Sequence, residues 1–75
     1  MEKVFISTDT INLMQFLKLA NVVMSGGEVK HLVDHGMILV NGEVEDRYRR
    51  KLVDGDVVVI DEQIELVVIN EDSES

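Results

Sequence analysis

The spacing of hydrophobic residues changes from helical to strand-like near residue 37. Before that point, apolar side chains recur three or four residues apart in two segments, each preceded by polar residues. After it, they stand in short runs separated by glycine, asparagine and aspartate. Because a helix repeats every 3.6 residues and a strand every two, this change predicts two helices followed by an all-strand half.

The N-terminal segment predicts a strand and then a helix. Residues 4–6 (Val-Phe-Ile) form a short apolar run typical of a strand. Residues 7–10 (Ser-Thr-Asp-Thr) carry side chains that commonly cap a helix, so we expect a helix to begin there, ahead of Ile11. Lys18 would be exposed on this helix. Its buried face would comprise Leu13, Phe16, Leu17 and Ala20.

A second helix is predicted from about Gly26 to His35. Ser25 and Glu28 have the spacing of a capping box, and Gly36 is well placed to end the helix in a left-handed conformation. The apolar stripe would comprise Val29, Leu32 and Val33, and the residues pointing away from it would be Lys30, His31 and Asp34.

The C-terminal half predicts strands only. Asn41-Gly42, between residues 37–40 and Val44, is a strong signal for a two-residue β-hairpin. Three further apolar segments follow, at residues 52–53, 57–60 and 64–69. The first two, separated by a turn at Gly55, predict another strand pair, and the third predicts a final strand. The order indicates an α+β fold with a helix pair on one side of a small, mostly antiparallel sheet.

The length of 75 residues fits one domain with one small core. Domains of this size bury about 60 to 65% of their unfolded-chain surface, which leaves little room for a substrate cleft. We predict a single folded body, residues 1–70. Residues 71–75 contain no apolar side chain, and we expect them to form an acidic, disordered tail.

The composition excludes disulfides and thiolate metal sites, and it argues against secretion and membrane insertion. The chain has no cysteine, so disulfides and thiolate metal sites are excluded. The apolar run at residues 4–6 is too short for a secretory signal, and no run approaches the roughly 20 residues that span a bilayer. We therefore expect a soluble cytoplasmic protein without membrane contact.

Catalytic and metal-binding residues are not predicted. Ser25 already has a capping role, while His31 and His35 lie on the same short helix without an acid partner that the sequence identifies. The two histidines lack a convincing third metal ligand, and the acidic residues lack a calcium-loop pattern. We expect no enzyme activity, no metal and no cofactor.

Charge is distributed unevenly in this chain of net charge -8. Residues 52–75 hold eight of the 15 acidic residues and none of the seven basic ones, so residues 1–51 are neutral, with seven of each. Four of the seven basic residues stand in one stretch: Arg47, Arg49, Arg50 and Lys51. A basic cluster in an acidic chain indicates a local role, since polyanion binding must come from a patch and not from the average charge.

Two interpretations of the basic cluster are open. Its arginines could bind phosphate through paired hydrogen bonds, Lys51 would add a point charge, and Tyr48 could stack on a base. Alternatively, Tyr48 packs inward and the cluster neutralises neighbouring acids, namely Glu43, Glu45, Asp46 and Asp54. The start of the second helix is equally open, because Gly26-Gly27 could expose backbone N–H groups to a phosphate or could be a flexible joint.

Several segments together resemble a known family. They are residues 11–18, 25–30, 40–44, 50–52 and 55–57, together with Gly36. Their order and spacing resemble the RNA-binding domain first described in ribosomal small-subunit protein S4, and especially its small stand-alone bacterial YaaA/YbcJ-like branch. The resemblance covers about residues 4–69.

The resemblance implies an αL motif, in which two helices packed on a small sheet hold structured RNA together with an adjoining basic loop. It implies no catalysis, since relatives fused to pseudouridine synthases and tyrosyl-tRNA synthetases leave the chemistry to another domain. The implied RNA contacts are Lys18, Ser25, Gly26, Gly27, Lys30, Arg47, Arg49, Arg50 and Lys51, with Tyr48 as a base-stacking candidate. Many members carry Arg after the serine that opens the second helix, where this chain has Gly26-Gly27, so this helix should contribute less charge. A small Ala is common where Val29 stands.

The leading interpretation is a monomeric, non-catalytic protein that recognises the shape and phosphates of folded RNA. Ribosomal RNA or a ribosome-assembly intermediate is the expected target, with transfer RNA as a second RNA class and ribosomal proteins as further partners. The alternative is an acidic protein-interaction module, in which residues 54–65 dock on a basic partner. A DNA-binding helix-turn-helix is disfavoured, because the second helix carries only Lys30 as a fixed cation.

Overall fold

A computed structural model describes residues 1–74 of the chain and the side chains of residues 1–72. Its two helices are α1, Leu13–Leu19, and α2, Gly26–Asp34. Its seven strands are β1, Glu2–Ile6; β2, Ile11–Asn12; β3, Ile38–Val40; β4, Glu43–Val44; β5, Lys51–Leu52; β6, Val57–Ile60; and β7, Ile64–Asn70. A short 3₁₀ helix, Glu71–Glu74, follows β7.

Five of the strands form one sheet in the order β1-β7-β6-β3-β4. Only the pairing of β1 with β7 is parallel, and the other three pairings are antiparallel. The strands β2 and β5 form a separate two-stranded antiparallel sheet. The predicted α+β class with a mostly antiparallel sheet is confirmed.

The core lies between the helices and one face of the large sheet. Alternate strand residues are buried there: Val4, Ile6, Ile38, Val40, Val58, Ile60, Leu66 and Val68. The helices contribute Leu13, Phe16, Leu17, Val29 and Val33. Because burying one such side chain contributes about 1.5 to 3 kcal/mol, this layer is the main source of stability in a domain this small.

The first helix begins later than predicted, and its cap is Asn12 instead of a residue between 7 and 10. Asn12 has an extended backbone, and its Oδ1 accepts a hydrogen bond from the N–H of Gln15 at 2.8 Å. The physical reason is strand pairing: Ile11 lies opposite Leu52, and Asn12 opposite Lys51, which holds this segment extended. The prediction for residues 7–10 was therefore wrong.

The expected pairing of residues 52–53 with residues 57–60 was also wrong. Leu52 pairs with Ile11, whereas β6 lies between β3 and β7. Asp56 closes the intervening turn, since its N–H donates to the carbonyl of Val53 and its Oδ2 accepts from the N–H of Val53. The turn redirects the chain into a different sheet, which local sequence spacing does not reveal.

The second helix and the first hairpin agree with prediction. The Oγ of Ser25 accepts a hydrogen bond from the N–H of Glu28 at 3.4 Å, and Gly36 follows the helix with φ of 66°. Asn41 and Gly42 have φ of 53° and 87°, the left-handed conformations that a tight hairpin turn requires. These predictions succeeded because a capping residue and a turn dipeptide act locally.

The C-terminal segment leaves the sheet at Asn70. This residue is buried, and its Nδ2 donates to the carbonyl of Thr8 at 2.8 Å while its N–H donates to Oδ1 of Asp54 at 2.7 Å. The division into a body, residues 1–70, and a disordered tail, residues 71–75, stays a prediction, and Ser75 lies outside the described residues. Neither described helix is long and apolar enough to cross a membrane.

The turn between β6 and β7 contains a strained position that can be tested. Asp61 and Glu62 have φ of 52° and 58°, although neither is glycine. A left-handed backbone costs about 1 to 2 kcal/mol for an L-residue. Glu62→Gly removes this cost, but glycine loses more chain entropy on folding, which offsets part of the gain. The substitution should therefore raise the free energy of unfolding, measured by urea denaturation, by a net ~0.5 to 1 kcal/mol. The control Gln63→Gly, one residue on, should give no gain, and equal effects of the two substitutions would contradict this explanation.

Candidate nucleic-acid interface

The basic loop, residues 47–51, is fixed to the first turn of α1 by backbone hydrogen bonds. The N–H of Leu13 donates to the carbonyl of Arg50 at 2.8 Å, and the N–H of Met14 donates to the carbonyl of Tyr48 at 3.1 Å. These N–H groups lack partners within the helix, so the loop satisfies them. The basic loop is therefore attached to α1.

A buried carboxylate also holds the basic loop. Glu45 is only 3% exposed, and its Oε1 accepts from Nη1 of Arg50 at 2.7 Å. Its Oε2 accepts from Nε of Arg47 at 3.1 Å and from the backbone N–H of Arg47 at 2.9 Å. Both carboxylate oxygens are thus hydrogen-bonded, as a buried charge requires.

These contacts decide the ionisation of Glu45. Burial opposes ionisation, but hydrogen bonds from Arg50 and Arg47, with the charge of Arg47, outweigh it, so the pKa of Glu45 lies below its ordinary value. The hydrogen bond to Glu45 in turn raises the pKa of Arg50, against a smaller opposing effect of burial. Glu45 is therefore charged at neutral pH and holds both arginines.

The cations of the basic loop divide into two kinds. The Arg50 side chain is 30% exposed and is engaged by Glu45, whereas that of Arg47 is 69% exposed despite its ion pair. Arg49 and Lys51 are exposed, and the structure records no ion pair for either one among the described residues. The interpretation that the cluster neutralises neighbouring acids thus holds for Arg47 and Arg50, which pair with Glu45. Arg49 and Lys51 stay available to bind a phosphate.

Tyr48 is half-buried and packs against the hydrophobic core. This agrees with the inward-packing alternative and leaves only part of the side chain accessible to a base. Its role in stacking stays a prediction.

The start of α2 lies against α1 through Met14. A Cβ atom at Gly26 would lie 2.9 Å from Sδ of Met14, so glycine allows the two helices to approach closely here. Because the N–H of Met14 also bonds to Tyr48, this methionine connects the basic loop to the start of α2. Ser25 and Gly27 are exposed beside this contact. Two of the regions proposed from sequence are thus neighbours.

The two helix lysines are exposed, as predicted, and the structure records no ion pair for either within the described part of the chain. Lys30 lies one turn after Gly26 on α2. Lys18 lies in a groove with Phe5, Gln15 and Leu19 on the outer side of α1. Met14 and Lys18 are four residues apart on α1, so Lys18 places an exposed cation about one turn along the helix from the Met14 contact.

The rings of His31 and His35 lie against each other at a tilt of 40°. Their ring centroids are 4.2 Å apart, and Nδ1 of His35 lies 2.8 Å from the carbonyl oxygen of His31. Within residues 1–72, no group of three or more histidine or acidic side chains is placed to hold a metal ion.

Sequence reasoning missed the organising roles of Met14 and Glu45. From sequence, Glu45 was one of four acids near the basic cluster. In the structure it is buried, whereas the other three are exposed. Its spacing of two and five residues from Arg47 and Arg50 was a weak signal, because that spacing brings the groups together only after the chain bends past β4. The role of Met14 depends on helix packing and had no local signal.

Replacing the buried carboxylate should change both stability and its pH dependence. Glu45→Gln should lower the free energy of unfolding at pH 7 by about 1 to 2 kcal/mol, because it removes charge-assisted hydrogen bonds. A lowered folded-state pKa stabilises the fold fully above the ordinary pKa of 4.5, and this stability is lost as pH falls through the folded-state value. The difference between wild type and variant, measured by urea denaturation, should therefore shrink below about pH 4.5. Exposed Glu43→Gln is the control, and an equal effect there would contradict a special role for Glu45.

Comparisons with known proteins identify the family of this chain. The sequence model of the protein family described as "S4 domain" matches residues 4–69 of this chain. The protein named "Probable ribosome maturation protein RlbA" from Bacillus subtilis (strain 168) is 50% identical over 56 residues, which cover 75% of this chain and 79% of that relative. The predicted resemblance is confirmed over the range expected from sequence, and the chain belongs to the S4 domain family.

Proposed function

We propose that this protein is a non-catalytic RNA-binding protein that recognises folded RNA through its shape and phosphates. The observation that carries the proposal is the basic loop, which is fixed on α1 by backbone hydrogen bonds while Arg49 and Lys51 stay exposed. Membership of the S4 domain family supports an RNA ligand. The name of the Bacillus subtilis relative supports ribosomal RNA or a ribosome-assembly intermediate as the target.

The fixed loop favours binding because little conformational freedom remains to be lost. Two backbone hydrogen bonds to α1 and the contacts to Glu45 already position the loop. A preorganised site loses less entropy when its ligand binds than a flexible one does. Arg49 and Lys51 supply the main phosphate contacts, and Arg47 and Arg50, which also hold the surface through Glu45, supply secondary ones.

The proposal includes the αL arrangement, in which both helices and the basic loop share one RNA. Its contact residues are Lys18, Ser25, Gly26, Gly27 and Lys30 on the helices, and Arg47, Arg49, Arg50 and Lys51 in the loop. Ser25 and Gly27 would bring backbone N–H groups of α2 close to a phosphate, to which the positive end of the helix adds a favourable field. The protein acts as a monomer in the cytoplasm, with transfer RNA as the second RNA class.

Phosphate and shape recognition suit the few aromatic residues of this chain. Phe16 is fully buried, Tyr48 is half-buried, and only Phe5 is substantially exposed. Readers of single-stranded RNA need exposed aromatic faces on which bases stack. A rigid loop with exposed cations instead fits the backbone of a folded RNA.

The double substitution Arg49→Ala with Lys51→Ala should weaken RNA binding without unfolding the protein. Each lost phosphate contact should weaken affinity about tenfold and reduce the salt dependence of log K by about 0.9. The measurement is fluorescence anisotropy with folded fragments of bacterial ribosomal RNA across a salt series, with circular dichroism to verify folding.

Lys3→Ala is the matched control, since Lys3 is an exposed cation on β1, away from the basic loop. It should leave RNA affinity nearly unchanged. A folded double variant that binds as tightly as wild type would refute the proposed interface. Transfer RNA tested in parallel shows whether ribosomal RNA is preferred.

A further inference from the structure

The face of the large sheet opposite the helices is apolar across most of its width. Strand register places seven hydrophobic side chains on it: Phe5, Leu39, Val44, Val57, Val59, Val67 and Ile69. Phe5 is 45% exposed and Val44 61%, and the other five are half-buried. The same register places only two charged residues, Lys3 and Glu65, among them.

This composition differs from that of a sheet with one face in water. Such strands alternate apolar and polar residues, whereas β6 reads Val-Val-Val-Ile and the centre of β7 reads Leu-Val-Val-Ile. Continuous apolar runs are typical of sheets that are covered on both faces. Helices cover one face here, and the apolar composition of the other face suits it to contact with a partner.

Acidic groups border this apolar face. A shallow cleft brings Asp61 and Glu62 next to Leu39 and Val44, and Val44 is 61% exposed. The turn holds both acids in left-handed conformations that glycine would adopt more easily. Residues 52–75 contain no basic side chain, so the border at β6 and β7 is acidic.

The charges favour one kind of occupant. A second copy of this chain would bring two acidic borders together, which electrostatic repulsion opposes. A segment with apolar side chains flanked by Lys or Arg would satisfy both the face and its border. A helix is the natural form, because helices pack on sheet faces, as α1 and α2 do on the other side.

We propose that the outer sheet face binds a basic amphipathic helix of a protein partner. Apolar side chains of that helix pack on Val57, Val59 and Val67, and its cations pair with Asp61, Glu62 and Glu65. The surface lies on the opposite side of the sheet from α1 and α2. Its edges approach the RNA interface, since Asp61 also lines a cavity with Ser25 and Gly27, and Phe5 shares a groove with Lys18. The two proposals concern different ligands, so either can fail without the other.

The test uses a synthetic 18-residue helical peptide with Leu at the i, i+3, i+4 and i+7 positions and Lys elsewhere. Titrated into isotope-labelled protein, it should shift amide NMR signals of β1, β3, β6 and β7. The variant Val57→Thr/Val59→Thr/Val67→Thr keeps its net charge and strand propensity, and it should bind about tenfold more weakly because apolar contact is lost. A peptide with Glu in place of Lys should also bind at least about tenfold more weakly, since like charges repel.

Three outcomes would overturn the proposal. Absence of binding by the Lys peptide would refute the stated chemistry. Equal binding by the folded threonine variant would show that charge attraction alone is responsible. A wild-type dimer in sedimentation equilibrium that the threonine variant dissociates would assign the face to a second copy of the chain.

Discussion

The ion-pair cluster around Glu45 positions the surface on which the proposed function depends. Removing a carboxylate from water is costly, and it is tolerated here because guanidinium groups of Arg47 and Arg50 each bond one of its oxygens. These two arginines therefore cannot be treated as free cations. Removing both would leave a buried charge without its partners and would destabilise the domain, so a loss of RNA binding in such a variant would not distinguish contact from unfolding.

The cluster acts together with the first turn of α1. That turn donates N–H groups to the basic loop, and Met14 packs against Gly26 at the start of α2. A chain of direct contacts thus runs from Glu45 through the loop and α1 to α2. Such fixed geometry would assist the proposed phosphate binding, since the net charge of -8 opposes attraction to RNA at long range.

Local signals predicted much of the fold. The Ser25 cap, the Asn41-Gly42 turn and the apolar periodicity of α2 each act within a few residues, and all were predicted correctly. The start of α1 and the partner of Leu52 were wrong, because both depend on pairing between segments about 40 residues apart in sequence. For the site, the basic cluster was visible in composition, whereas burial of Glu45 and Tyr48 required the three-dimensional structure.

The most direct test of the central claim is the RNA affinity of Glu45→Gln under conditions in which wild type and variant are both fully folded. If Glu45 acts by positioning the basic loop, affinity for folded ribosomal RNA should fall about three- to tenfold, because the arginines and the loop lose their preorganisation. If only net charge matters, removal of a negative charge should leave affinity unchanged or raise it. An unchanged or increased affinity would contradict the positioning role of Glu45.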